Sequence, residues 1–209
     1  IFPSYNFSKK QNYNFGLDGN FLFNSAGHLK SYKTDTTEKI IVNDLYFNSS
    51  PKYSNLGIKN EYNALFRNTN SDTKNSKKFN NEPNSKIYSI FEFNSSYPLL
   101  KANKKNTKIL KPIVSLKFSP SNSKNISDEE KRIDVNNIYS LNRIAQTDSV
   151  EGGSSITYGL EYNNFNNDSN RDIFTAKVAN IFRIEEERNL PKSSSIGQKT
   201  SNIVANLNM

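Results

Sequence analysis

From Asn12 to Asn24 the odd positions read Tyr13, Phe15, Leu17, Gly19, Phe21 and Phe23, while the even ones are mostly Asn, Asp and Gly, with Leu22 as the exception. A two-residue period puts alternate side chains on opposite faces of an extended chain, so this stretch predicts a strand with one apolar and one polar face. The pattern recurs. Leu56, Ile58, Tyr62, Ala64 and Phe66 alternate with Asn, Gly, Lys, Glu and Arg, as do Ile87, Phe91, Phe93, Tyr97 and Leu99. Val114, Leu116 and Phe118 repeat it, followed by Ile156, Tyr158, Leu160 and Tyr162, then Phe174, Ala176, Val178, Phe182 and Ile184, and finally Ile203, Ala205, Leu207 and Met209. Ile40 to Asn48 is apolar on both faces and is also read as a strand.

About nine strands result, at 1–8, 12–24, 39–48, 55–68, 86–99, 109–119, 152–166, 172–184 and 201–209. Several exceed the roughly 9–11 residues that a tilted strand needs to cross a bilayer. Only 34% of the residues are hydrophobic, a thin supply for a soluble core, and Phe and Tyr are plentiful where Trp is absent. One aromatic face and one Asn, Lys, Glu and Arg face suit a lipid-facing exterior around a wet lumen. The predicted fold class is therefore all-β, an antiparallel outer-membrane β-barrel of which this chain supplies a part. A soluble β-sandwich alternates in the same way and stands as the other architecture.

Connection lengths carry a second signal. Segments 25–38, 69–85, 120–151 and 185–200 are long, whereas 9–11, 49–54, 100–108 and 167–171 are short. Barrels of the outer membrane have short turns on one side and longer loops on the other. The alternation holds only if "VNNIYSLNRI" at 135–144 is not a strand, which places it inside one long outer loop. "IFPSYNFSKK" at the start carries no basic leader, "NIVANLNM" at the end stops within an alternating pattern, and both ends read as internal to a longer protein.

The net charge of +8 suits a polyanionic partner such as a phosphorylated lipid or an anionic membrane face. Nucleic acid is excluded as the preferred partner, because the basic residues are scattered and no recognition motif accompanies them. With no Cys and only His28, neither a thiolate metal site nor a His-based triad can be assembled. No cofactor and no catalytic set are expected.

"IFPSYNFSK" (1–9), "RIDVNNIYSLNR" (132–143), "DSVEGGSSITYGLEY" (148–162) and "NLPKSSSIGQKTSNIVANL" (189–207) together resemble the barrel domain of the lipopolysaccharide-assembly family LptD, also called OstA. The resemblance implies a barrel in the outer membrane of a Gram-negative bacterium that inserts lipopolysaccharide into the outer leaflet. It implies three partners besides the membrane lipids: lipopolysaccharide itself, an LptE-like lipoprotein plug, and a periplasmic bridge reached through an amino-terminal domain outside this stretch. A different outer-membrane barrel (a porin or receptor) and a secreted glycan-binding sandwich remain the alternatives.

The candidate site residues fall in two groups. Arg132, Asp134, Asn136, Asn142, Arg143, Asp148, Glu151, Gly152 and Gly153, with Lys192 and Lys199 from the later loop, are candidates for the lumen mouth. They form a salt-bridged plug, a surface for sugar and phosphate, or a solvated charged loop. Ile133, Val135, Ile138, Tyr139 and Leu141 among them favour a packed loop, with Arg132 and Arg143 paired to carboxylates. The Ser127–Glu130 stretch has the form of a helix capping box, and the two glycines permit a sharp bend into the following strand. Lys59, Arg67, Lys117, Lys177 and Arg183 are candidate lumenal cations for phosphorylated lipid.

Overall fold

The structure is a computed structural model describing residues 3–14, 16–76, 79, 81–121, 123–146 and 148–209. Its strands are β1 (Ser4–Tyr13), β2 (Gly19–Tyr32), β3 (Thr36–Ser49), β4 (Lys52–Tyr53), β5 (Lys59–Lys74), β6 (Asn84–Ser96), β7 (Leu99–Ala102), β8 (Asn106–Ser119), β9 (Gly153–Asn166), β10 (Arg171–Arg183) and β11 (Val204–Asn208). They form one antiparallel sheet in the order β1-β2-β3-β5-β6-β8-β9-β10-β11, with β4 on β5 and β7 on β8 as short hairpin extensions. The sheet is open: β1 and β11 each pair on one side only, as expected of part of a barrel wall.

Up-and-down pairing sends connections 14–18, 50–58, 97–105 and 167–170 to one end of the wall. Connections 33–35, 75–83, 120–152 and 184–203 lie at the other end. The two longest thus leave from the same end, and among the described residues neither contains a strand; the second holds the 3-10 turn Lys192–Ser194 and a bridge from Thr200 to Phe182. They fold together over one face of the sheet as a cap. Ile126 N donates to the Asn189 carbonyl (2.8 Å) and Lys192 N to that of Ser127 (3.0 Å), tying one loop to the other.

The apolar core lies between cap and wall. Ile126, Ile138, Ile144, Leu190 and Ile196 of the cap pack on Ala179 and Ile181 of β10. Val150 packs on Leu65, Tyr88 and Ile90 of β5 and β6. The opposite face is left uncovered and carries exposed Phe23, Leu45, Phe66, Phe91, Leu116, Tyr158, Leu160, Val178 and Phe182. Large apolar side chains left in the open across a whole sheet face are abnormal for a soluble chain and ordinary for one solvated by hydrocarbon. The even residues of β9 point to this outer face and the odd ones to the cap.

Several expected boundaries shift. The 12–24 stretch is not one strand: Tyr13 ends β1, a turn follows, and Gly19 opens β2. The connection expected at 9–11 is therefore strand. Segment 25–38, expected as a long loop, is strand on both sides of a turn at 33–35. The 69–85 connection shrinks because β5 runs on to Lys74. Strand 55–68 starts only at Lys59, leaving Leu56 exposed in the turn. Ile1, Phe2 and Phe15 of the expected strands lie outside the described residues. Ser127–Glu129 forms a hydrogen-bonded turn, Glu129 N to the Ile126 carbonyl (3.0 Å), rather than a helix.

The two faces should respond differently to charge. Val178→Arg, on the outer face, is expected to cost about 2–4 kcal/mol on refolding into lipid vesicles, the range for arginine near the bilayer centre. Thr175→Arg, on the inner face of the same strand, should change the urea midpoint far less. Equal effects would mean that the outer face does not meet lipid.

Candidate functional site

Where cap meets wall, charges are buried in pairs. Arg143 of the cap, Glu151 at the cap's end and Arg183 at the end of β10 are 3%, 2% and 1% exposed. Arg143 donates from Nε to Glu151 Oε2 (2.7 Å) and from Nη2 to Oε1. Arg183 Nη1 donates to the same Oε1 (2.6 Å), and its Nη2 to the Gly152 carbonyl. Arg143 also reaches the wall, with Nη1 donating to Thr157 Oγ1 (2.9 Å) and Nη2 to Ser155 Oγ (2.7 Å) on β9. One carboxylate therefore serves two guanidiniums, one from the cap and one from the wall.

Two wall pairs flank this centre. Arg67 of β5 forms a bidentate pair with Asp44 of β3, Nε to Oδ1 and Nη2 to Oδ2, both 2.7 Å. Its remaining Nη1 donates to the cap carbonyls of Gln146 and Ser149, the latter at 3.1 Å. Lys117 of β8 lies 3.6 Å from Glu92 of β6 and donates to the Ser140 carbonyl of the cap. Glu92 is further held by Asn63 (3.0 Å), Asn94 (3.0 Å) and Ser115 (3.2 Å). Such satisfaction is what allows ionised groups to stay buried.

Burial by itself would raise the Glu151 carboxyl. Arg143, then Lys117 and Arg183, more than reverse that and hold it at about 2, against an ordinary 4.5. Tyr139 of the cap is pushed up to about 12 by burial and, secondarily, by the charge of Glu161. Its hydroxyl is buried and has no hydrogen-bond partner among the described residues. The ring rests on Gly159 of β9, where a Cβ would overlap the hydroxyl and the Val178 carbonyl.

The candidate residues thus divide. Arg143, Asp148, Glu151, Gly152, Gly153, Arg67, Lys117 and Arg183 meet at the cap–wall contact, with Asp148 near Tyr88 of β6 and paired within the cap to Lys124 (2.6 Å). Gly153 has φ +79°, the left-handed bend that lets the loop enter β9. Arg132 is exposed and, among the described residues, pairs with no carboxylate, contrary to expectation; only its carbonyl is used, by Asn137. Asp134 caps a local turn, accepting from the Asn136 amide (2.7 Å), and Asn136 is itself exposed. Asn142 is half-buried in the cap. Lys192 sits 3.6 Å from Asp128 in the open, and Lys199 is exposed and contributes only its carbonyl, to Arg183 N (2.8 Å). Lys59 pairs with Glu61 (2.9 Å) and Lys177 with Glu161 (3.8 Å), both away from the contact.

Sequence reasoning passed over Asp44 and Glu92. Both were detectable by phase, since each is a carboxylate on the inward parity of a strand, Glu92 between two phenylalanines in "IFEFN" and Asp44 between Asn43 and Leu45 in "VNDLY".

Glu151→Gln should leave two buried guanidiniums short of a counter-charge and cost about 3–5 kcal/mol, read as protease cleavage within 120–152, while Arg132→Ala stays near wild type. Because the folded pKa of Glu151 is depressed, its contribution is present above about pH 4.5 and lost as pH falls towards 2. Cap protection should therefore be flat from pH 5 to 8 and decline below. Tyr139→Phe deletes an unpartnered buried hydroxyl and should be neutral or stabilising by about 1 kcal/mol, whereas Tyr139→Ala should loosen the cap in the same assay.

No curated protein matches the chain. A family model described as "LptD: LPS transport system D" matches residues 1–209. With the match spanning the whole sequence and the wall and cap described above, the chain belongs to the LptD family of lipopolysaccharide transport proteins.

Proposed function

We propose that this chain is a section of the translocon wall through which lipopolysaccharide reaches the outer leaflet, with its cap closing the outer mouth of the lumen. The LptD family transports and assembles lipopolysaccharide at the outer membrane of Gram-negative bacteria and is not an enzyme family. The observation that carries the finer reading is the opposition of the two faces. Aromatic and aliphatic side chains are bare on one side, and paired charges, amides and hydroxyls fill the other. A wall of this kind keeps acyl chains in the membrane and passes a hydrophilic head along its inner side, without covalent chemistry.

The cap supports a gating role because its 120–152 part meets the wall mainly through side chains instead of strand pairing, whereas its 184–203 part is bridged to β10 by backbone hydrogen bonds. The inner face beyond it is free for an LptE-like lipoprotein plug, and the lipid would arrive from a periplasmic bridge. In cells producing the full-length protein, deleting 132–147 removes Ile138, Arg143 and Ile144, and with them the apolar and ionic hold on the wall. The expected outcome is increased entry of large antibiotics and less surface lipopolysaccharide, with the folded, heat-modifiable barrel still present. Unchanged permeability and unchanged surface lipopolysaccharide would remove the cap from the transport reading.

A further inference from the structure

Hydrogen-bond register connects residues that lie far apart in sequence into one row on the inner face. Asn12 of β1 pairs with Asn20 of β2, Asn20 with Asn48 of β3, and Asn48 with Asn63 of β5. The row continues from Asn63 to Glu92 of β6, to Lys117 of β8, to Ser155 of β9, and ends at Arg183 of β10. Every position is polar. From β1 to β6 the inner row two residues nearer the cap is different, with Lys10, Leu22, Tyr46, Leu65 and Ile90 mostly apolar or aromatic, whereas on β8 and β9 it holds Ser119 and Gly153. Asparagine abundance alone does not give that contrast, because over β1 to β6 both rows draw on the same strands.

The row also climbs. Asn12 is one residue from the short-turn end of β1, Asn20 and Asn48 are likewise next to that end of β2 and β3, and Arg183 is the last residue of β10 at the cap end. Strands of a barrel tilt by about 35–45°, so a row perpendicular to them winds along the wall as a ramp. Its lower part is uncharged and available. Among the described residues the Asn12, Asn20 and Asn48 side chains make no hydrogen bond, while Asn63 donates to Glu92 (3.0 Å). Its upper part is ionic and covered, with cap carbonyls seated on Lys117 and Arg183.

We infer that this row is a binding track for the phosphorylated sugar head of the transported lipid, with amides for the sugar at the short-turn end and cations for phosphate at the capped end. Each amide offers two N–H donors and a carbonyl acceptor, a match for sugar hydroxyls that holds them without the strength of an ion pair. Lys117 and Arg183 supply the charge-assisted donors that phosphate oxygens favour, and the cap's backbone carbonyls stand in for such oxygens while the cap is down. The inference rests on the transport reading and assigns particular residues to it.

The test is made in cells producing the full-length protein. A photo-crosslinking amino acid is placed singly at Asn20, Asn48 and Asn63, at inner off-row Lys59 and Lys177, and at outer-face Leu45. The row positions should crosslink to lipopolysaccharide, and Leu45 should do so much less. An Asn20→Leu, Asn48→Leu, Asn63→Leu variant should slow delivery to the surface by about ten-fold, the loss expected when three weak polar contacts vanish together. Ala26→Leu, on the inner face off the row, should leave delivery unchanged. Lipopolysaccharide captured at Lys59 or Lys177 but not on the row would overturn the track and leave the transport reading intact. Capture of a protein instead of glycolipid at the row would assign it to the plug. Normal surface lipopolysaccharide after depletion of the whole protein would sink the transport reading itself. If the triple variant does not fold, the single crosslinking positions still decide.

Discussion

Glu151 is where the cap and the wall become one structure. Its two oxygens accept from Arg143, which arrives on the long loop, and from Arg183, which ends β10. Neither guanidinium has another carboxylate within reach among the described residues, and both are almost fully buried. A buried charge without its partner is far more costly than a buried pair. The loop therefore cannot leave the wall without either parting Arg143 from Glu151 or taking Glu151 along and stranding Arg183, and Gly153, bent at positive φ two residues on, sets where that carboxylate can go. The burial of Ile138, Ile144, Leu190 and Ile196 against β10 depends on the same placement.

The sheet beneath is organised by parity. One phase of each strand meets open surroundings with aromatic and aliphatic groups, and the other meets the cap or the lumen with amides, hydroxyls and paired charges. Apolar residues occur on the inner phase where the cap covers them: Leu65, Ile90 and Ile181 are fully buried there. Polar residues on the same phase are tied to one another, with Glu92 taking bonds from three strands. The inner face thus has two regimes, a dry one under the cap and a wet one below it, and each sequence position follows the regime it falls in.

Parity also explains what could be read in advance. The outer phase is odd in β1, β2 and β3, because the turns 14–18 and 33–35 each hold an odd number of residues. Alternation therefore ran unbroken from Tyr13 through Leu17 to Phe23, and the turn between β1 and β2 left no trace in the pattern. The upper half of β2 was hidden for the opposite reason. Its outer residues are Ser25, Gly27, Leu29 and Ser31, and its inner ones Ala26, His28 and Lys30, so no apolar contrast marks the strand. By comparison, β9 and β10 keep a strong contrast along most of their length and were legible almost to the residue. Loop-length parity placed 135–144 outside the sheet, where it lies, but which of its charges turn inward depends on long-range packing. Arg132 and Arg143 look alike in sequence; only Arg143 follows the buried turn at Ile138 and so faces β9.

The ionic contacts at the cap fall into two classes with different consequences. Asp44–Arg67 and Glu92–Lys117 are wall-to-wall pairs, made between strands and independent of the loop. The hydrogen bonds that the cap gives these two cations come, among the described residues, from backbone carbonyls of Gln146, Ser149 and Ser140. Lifting the loop therefore removes neutral acceptors from Arg67 and Lys117 while each cation keeps its counter-charge, and the sheet retains its pairing. Glu151 is the exception, since moving it off Arg183, or Arg143 off it, breaks a charge pair, and Thr157 and Ser155 hold Arg143 in addition. The arrangement concentrates resistance to opening at one residue and leaves the cations on the wall ready for other oxygen acceptors once that residue gives way.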